Sequence, residues 1–531
     1  KTADAVGAVS YAQMMETAGK AVAEAIIARY PVAGMRILVL VGPGNNGGDG
    51  LVAGRYLAKA GADVAFYLTK TRNADEDENY AKIVEMGLFA VEAAFDQQYR
   101  TLHTRLKNTD LLLDGLLGTG VTRAIAGQLA ALLEQVRIGL NGRSAQLAAD
   151  KKTNLLTLNA PLKIDQELPL RTILTETAVP VVSVDCPSGL NCDTGALDKW
   201  ALSADLTVTF AGPKRGHFSF PGAAACGELV VADIGIPPEL PVVAEIPVQV
   251  MTTAAAEEMM GERPLDGHKG TFGTALIAAG SYRYWGAPFL AAKAAYRVGA
   301  GLVALAVPQA IRATIAGQIP EATFPLIPDE KIFGTDSIPL LQDTKANALL
   351  IGPGIDHAYT FLTQLLTKKA KLPPLIIDAD GLNILAETAD WPELLPPNTI
   401  LTPHPGEMAR LMNIPLTELQ EMDRVAVAQA QANAWNCIVL LKGAYTVIAA
   451  PDGRVTINPV ANPALAVGGS GDVLSGIIAG LLAQGITAYE AACLGAYLHG
   501  SAAANYPHSS GLLMSELCDL LPETMAQFRH H

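Results

Sequence analysis

The chain has 531 residues, 50% hydrophobic and 17% charged, with a net charge of -14. That length predicts two to four domains at roughly 150 residues each, and the acidic balance argues against a nucleic-acid-binding surface. No uninterrupted apolar run predicts a membrane span, and the cysteines at 186, 192, 226, 437, 493 and 518 lack the spacing of a zinc site or disulfide framework, which fits a reducing cytoplasm.

The opening "KTADAVGAVSYAQMMETAGKAVAEAI" has helical spacing and no unbroken apolar stretch, so it is not read as a signal peptide. Strand candidates follow at 36–41, 63–68, 109–114, 179–185, 205–210 and 228–232, with helical segments at 9–29, 48–61, 78–87 and 126–138. This alternation predicts βα units on a mostly parallel sheet. Residues 143–177 have no clear period and read as an inserted surface arm or extra hairpin. The stretch 235–267 is rich in prolines, which do not fit inside a packed sheet, so the boundary is placed there, giving domains 1–240 and 241–531. The second half resumes with strands "TALIAAG", "LVALAV", "NALLIG", "PLIIDAD", "CIVLLKG" and "TVIAA", and with helices near 287–299, 419–434, 472–483 and 487–504. The expected fold class is α/β, in two separate domains and not a duplication.

In parallel α/β sheets, ligands bind at the carboxyl ends of strands, and three polar clusters of the first half fall there. "VGPGNNGGDG" (41–50) offers backbone N–H groups, two side-chain amides and an acid, and a helix beginning near Asp49 points its positive end at the turn. "DGLLGTGVTRAIAG" (114–127) places Asp114 at a strand end, followed by a flexible anion cradle and Arg123. "VVSVDCPSGLNCDTG" (181–195) places Asp185 at the end of an apolar strand, in position to move protons, and Ser188 in the turn beyond. Each acid alone has an ordinary reading as a helix N-cap; three at three strand ends favour a site.

In the second half, "NPALAVGGSGDVLSGIIAG" (462–480) sets a glycine cradle against a helix start that carries Asp472, a candidate base for a hydroxyl attacking a phosphoryl group. The alternative is an N-cap. Lys442 in "LLKGAYT" can meet phosphate oxygens, or is a surface lysine. Asp378, Asp380 and Glu407 are suited to a magnesium ion bound mainly through water and phosphate, or are solvated caps. His404, in "LTPHPGE", can stack or hydrogen-bond.

The first set of motifs resembles the NAD(P)H-hydrate epimerase domain over roughly 10–235, apart from the 143–177 arm. The resemblance implies a Rossmann-like three-layer domain. In it Asn45, Asn46, Gly47, Gly48 and Asp49 contact a hydrated dinucleotide, Gly118, Thr119, Gly120, Val121, Thr122, Arg123 and Ala124 cradle phosphate, and Asp185 is the acid nearest the chemistry. It also implies a potassium ion on Asn46, Asp114 and Ser188. "HKGTFG", "GPG", "DADGLN", "TPHPGE", "KG" and "GGSGD" resemble the ribokinase-like NAD(P)H-hydrate dehydratase domain over about 255–525. This implies that Ala287, Gly354, His404 and Asp472 contact the hydrate, and that Lys442, Gly443, Ala444, Tyr445, Thr446 and Gly471 contact an adenine nucleotide. The chain departs from that pattern at Val467, usually polar or basic, and at Ser470, commonly Thr. The pair resembles the bifunctional NAD(P)H-hydrate repair enzymes of prokaryotes, which implies ADP and magnesium as cofactors, NADH and NADPH hydrates as substrates, and a homo-oligomer. Two rivals stay open: a vitamin-precursor kinase in the second half, and a non-catalytic binding module in the first.

Overall fold

The computed structural model describes residues 4, 7–120, 123–155, 179–237 and 239–528. Internal contacts divide the chain into two compact units, Lys1–Glu245 and Ile246–His531.

The first unit is built on strands β1 (Arg36–Val41), β2 (Asp63–Leu68), β3 (Phe89–Glu92), β4 (Leu111–Gly115), β5 (Val181–Val184), β6 (Leu206–Phe210) and β7 (Glu228–Ala232). They form one sheet in the order β3-β2-β1-β4-β5-β6-β7, with every pair parallel. Side chains alternate across a strand, and here both faces are covered. Ile37, Val39 and Val41 pack under Val22, Ile26, Leu51 and Leu57, while Leu38 and Leu40 pack with Leu102, Leu106, Leu133 and Val136. The result is a three-layer, Rossmann-like unit. Its strand order reverses between β1 and β4, so the carboxyl ends of those strands open a crevice at the switch point.

The second unit has β8 (Val248–Val250), β9 (Thr274–Ala278), β10 (Leu302–Ala306), β11 (Ala348–Ile351), β12 (Leu375–Ile377), β13 (Ile400–Leu401), β14 (Ile438–Leu441), β15 (Val447–Ala449) and β16 (Val455–Ile457). Their order is β10-β9-β11-β12-β13-β14-β15-β16-β8. It is parallel from β10 to β14, then turns antiparallel through β15 and β16. Ala275, Leu276, Ile277 and Ala278 are all fully buried, so this sheet too is covered on both faces.

Four expectations shift. The helix expected at 48–61 runs from Asn45 to Lys59, so "NNGGDG" is its first turns and not a loop. The helix expected to end at 138 continues to Leu155; thus the first third of the 143–177 stretch is helix, and residues 156–178 lie outside the described residues. The proline-rich boundary stretch supplies a strand after all: β8 pairs with β16 at the sheet's edge, where Pro247 takes part through its carbonyl, accepting from Val455 N–H at 3.1 Å. The helix expected at 419–434 is two helices, Leu416–Glu421 and Arg424–Trp435.

Candidate active sites

The crevice of the first unit is a cavity of about 920 Å³. Asn45, Asn46 and Asp49 line it from the helix Asn45–Lys59, Gly118, Thr119, Gly120, Arg123 and Ala124 from the turn after β4, and Asp185 from the end of β5. Three segments far apart in sequence therefore meet, as expected from strand-end geometry. Gly47 and Gly48 lie on the same helix, while Val121 and Thr122 fall outside the described residues. The glycines allow close packing: a Cβ on Gly47 would lie 2.1 Å from the Gly42 carbonyl oxygen, and one on Gly48 would lie 2.8 Å from Met15 Sδ. Asp49 does not cap the helix. Its N-cap is Gly44, without a side-chain bond, and Asp49 lies inside it. Burial, and secondarily the charge of Asp185, push the Asp49 carboxyl up to about 8.

Asn46, Asp114 and Ser188 converge on the Leu117 peptide. Asn46 Nδ2 donates to Leu117 O at 2.9 Å, and Leu117 N–H donates to Ser188 Oγ at 2.9 Å. Ser188 Oγ and N–H donate to the two Asp114 carboxylate oxygens at 2.6 and 2.9 Å. Asp114 is fully buried, which raises its pKa against these hydrogen bonds, and among the described residues no cationic side chain pairs with it.

Asp185 has left-handed backbone, φ 64°, uncommon for a residue other than glycine. Its Oδ1 accepts from Lys214 Nζ at 2.6 Å and from Thr209 Oγ1 at 2.9 Å. The sequence reading missed both partners. The signal available was a lysine in the Gly-Pro turn directly after β6.

In the second unit the motif residues again come together. A Cβ on Gly354 would lie 3.4 Å from Ala287 Cβ, and a Cβ on Gly352 would strike the Asp378 carbonyl at 1.8 Å, so "GPG" and "DADG" are in contact. Lys442 Nζ lies 2.8 Å from Asp378 Oδ1 and 3.6 Å from Glu407 Oε2. The lysine expected at the nucleotide is thus the counter-ion of two of the acids expected at magnesium. Its pKa rises because Asp378 and Glu407 outweigh the burial that would lower it. The second oxygen of Asp378, Oδ2, is buried without a hydrogen-bond partner among the described residues.

Asp472 is the third residue of the helix Ser470–Ala483, whose N-cap is Gly469, φ 90°, so the N-cap alternative fails on position. Burial, then the charge of Asp378, push Asp472 up to about 7, and burial also pushes Glu407 to about 7. Gly471 borders the cluster: a Cβ there would lie 3.3 Å from Lys442 Nζ. His404 does cap a helix, Pro405–Met412; its Nδ1 accepts from Gly406 N–H at 2.9 Å, and Glu407 Oε2 accepts from His404 N–H at 2.8 Å. This leaves Nε2 as the protonated nitrogen of the neutral ring, which burial, Lys442 and Arg410 all favour. The loop carrying Gly443, Ala444, Tyr445 and Thr446 is held by Arg424, which donates to Ala444 O at 2.6 Å and to Lys442 O at 3.2 Å. Ser470 Oγ lies 3.3 Å from His499 Nε2, and Val467 is exposed at the turn. Arg424 and His499 escaped the sequence reading because each lies inside an ordinary helical pattern.

Comparison with known proteins assigns each unit a class. Residues 11–150 and 157–216 match the family model described as YjeF-related protein N-terminus, and residues 275–525 match that of NAD(P)H-hydrate dehydratase. The bifunctional NAD(P)H-hydrate repair enzyme of Moorella thermoacetica is 37% identical, over 96% of this chain and 91% of its own length. That of Thermofilum pendens is 34% identical, over 97% and 92%. A crystal structure of the ADP/ATP-dependent NAD(P)H-hydrate dehydratase of Bacillus subtilis, with ATP and Mg²⁺, is 33% identical and covers 54% of this chain and all of its own, with a TM-score of 0.47. The chain belongs to the family of bifunctional NAD(P)H-hydrate repair enzymes.

Proposed function

We propose that residues 1–240 interconvert the R and S hydrates of NADH and NADPH, and that residues 241–531 return the S hydrate to NAD(P)H in an ADP-dependent dehydration. What carries the reading is the meeting of separate motifs at the strand ends of each unit, beside buried acids pushed up to near-neutral pKa: Asp49 in the first, Asp472 and Glu407 in the second.

Water added to an enamine double bond leaves a hydroxyl on the carbon next to the ring nitrogen. Asp49, protonated at neutral pH, gives its proton to that hydroxyl, which leaves as water while the nitrogen lone pair forms an iminium. Water re-enters from the other face, giving its proton to the Asp185 carboxylate, from which it returns to Asp49. The backbone amides of Gly118, Thr119 and Gly120 would meet the phosphates of the dinucleotide. Asn46, Asp114 and Ser188 would hold potassium: the Asp114 carboxylate is buried without a cation, and its neighbours are oxygen donors. There the ion would supply the missing positive charge.

In the second unit Asp472 takes the proton of the hydrate hydroxyl as the oxygen attacks the β-phosphorus of ADP. An O–P bond forms, AMP leaves, and the Gly468–Gly471 amides stabilise the transferring charge. Phosphate then departs with the C–O electron pair, and loss of a proton from the adjoining carbon restores the double bond. His404, Ala287 and Gly354 face the hydrate, and the 442–446 loop and Gly471 the nucleotide. Magnesium would neutralise phosphate charge beside the unpaired Asp378 oxygen. We also propose a cytoplasmic homo-oligomer; buried, free cysteines support the reducing compartment, and among the described residues no helix is long and apolar enough to cross a membrane.

Asp185→Asn tests the first assignment. Turnover of the R hydrate should fall by about 10² or more while the S hydrate is still consumed; unchanged R turnover would sink the epimerase role.

A further inference from the structure

We propose that Lys214 is a positioning residue of the epimerase, locking one oxygen of Asp185 so that the other faces the hydrate; this rests on the epimerase reading above.

Lys214 Nζ is fixed from all sides. It lies 2.6 Å from Asp185 Oδ1, 2.6 Å from Thr209 Oγ1, and 3.1 Å from both the Phe210 and Gly212 carbonyl oxygens. Every one of these acceptors belongs to the end of β5 or β6 or to the turn after β6, so the ammonium ties the two strand ends together. Asp185 Oδ1 is in turn saturated by Lys214, by the Thr209 hydroxyl and by the Phe210 N–H at 3.4 Å. Thr209 is fully buried, and the Asp185 side chain keeps 15% of its surface. Asp185 lines the cavity and Lys214 does not. The lysine therefore reaches the reaction only through the carboxylate. An ion pair this enclosed, at a residue already in left-handed backbone, pins orientation at an expense in chain freedom that a purely structural strand end would not need.

The decisive experiment measures steady-state turnover of purified R hydrate by the full-length chain, as wild type, Lys214→Met, Lys214→Arg, Asp185→Asn and the Asp185→Asn/Lys214→Met double variant. Lys214→Met should lose about 10-fold or more in kcat with KM nearly unchanged, because orientation and not binding is removed. Added methylammonium should restore part of the rate. The double variant should be no slower than Asp185→Asn alone, since Lys214 acts through that carboxylate. Wild-type rates in Lys214→Met, or additive losses in the double variant, would overturn the proposal. So would a loss accompanied by lowered melting temperature and no amine rescue. If Lys214→Met does not fold, Thr209→Val, which keeps the charge but removes the shared hydroxyl, carries the same kcat-against-KM test. A wild-type chain that fails to epimerise would instead defeat the underlying functional reading.

Discussion

The two units solve one problem differently. Each must keep a carboxyl group near neutral pKa at the carboxyl ends of its sheet. In the first, the groups are divided: Asp49 is buried without an ion pair among the described residues, while Asp185 is anchored by Lys214. In the second, Lys442 is shared among Asp378, Glu407 and Asp472, so the cation and the acids form a single cluster. Separate acids suit a reaction that gives a proton and takes one back on opposite faces. A clustered set suits a site that must also meet the charge of a nucleotide. The comparison teaches that a raised acid is tuned mainly by burial, and that the placement of the lysine decides which acids have a counter-ion.

The largest effect should come from breaking the second site alone. Asp472→Asn should lower S-hydrate dehydration by about 10²–10⁴ in kcat, and R-to-S exchange, followed by chromatography of the epimers, should persist. Loss of both would deny that the sites are independent. The wild-type dehydration rate should also rise with pH through about 7, since Asp472 acts ionised; a profile flat from pH 5 to 9 would remove it as the base.

Next is stability in the first unit. The folded Asp49 carboxyl is near 8, against about 3.9 when unfolded, so the folded chain holds this proton more tightly. Its stabilisation is fully present below about pH 3.9 and is lost as pH rises through about 8. Asp49→Asn should flatten that dependence in calorimetric melts and leave the Asp472-dependent profile where it was.

A smaller effect follows at the second glycine cradle. Gly469→Ala should cost roughly 1–3 kcal/mol, read by urea denaturation, because φ is 90° and the new Cβ would meet Leu290 Cδ1 at 2.7 Å. The smallest is Ser470→Thr, which keeps the hydroxyl beside His499 and should change dehydration by less than about threefold.

Most of both sheets was legible because parallel strands are continuous apolar runs. The strands that escaped had no such signal: β13 is two residues long, β16 only three, β3 is half-exposed, and β8 is a short edge strand among prolines. The candidate acids were legible because strand ends are where α/β sheets bind ligands. Their partners were not. Lys214 and Thr209 reach Asp185 from another strand, and Lys442 pairs with Asp378 across 64 residues of sequence, which no local spacing reveals. The helix start at Asn45 was misplaced because glycines ordinarily weaken helices; here they are retained where Gly42 and Met15 leave no room for a side chain.

The most direct test of two working sites on one chain is absorbance recovery from a purified mixture of R and S hydrates, with ADP, magnesium and potassium present. Recovery should be complete and should outlast the S fraction, with the late phase slowed in Asp185→Asn. Recovery that stops when the S hydrate is spent would contradict the account, leaving a dehydratase joined to a silent first unit.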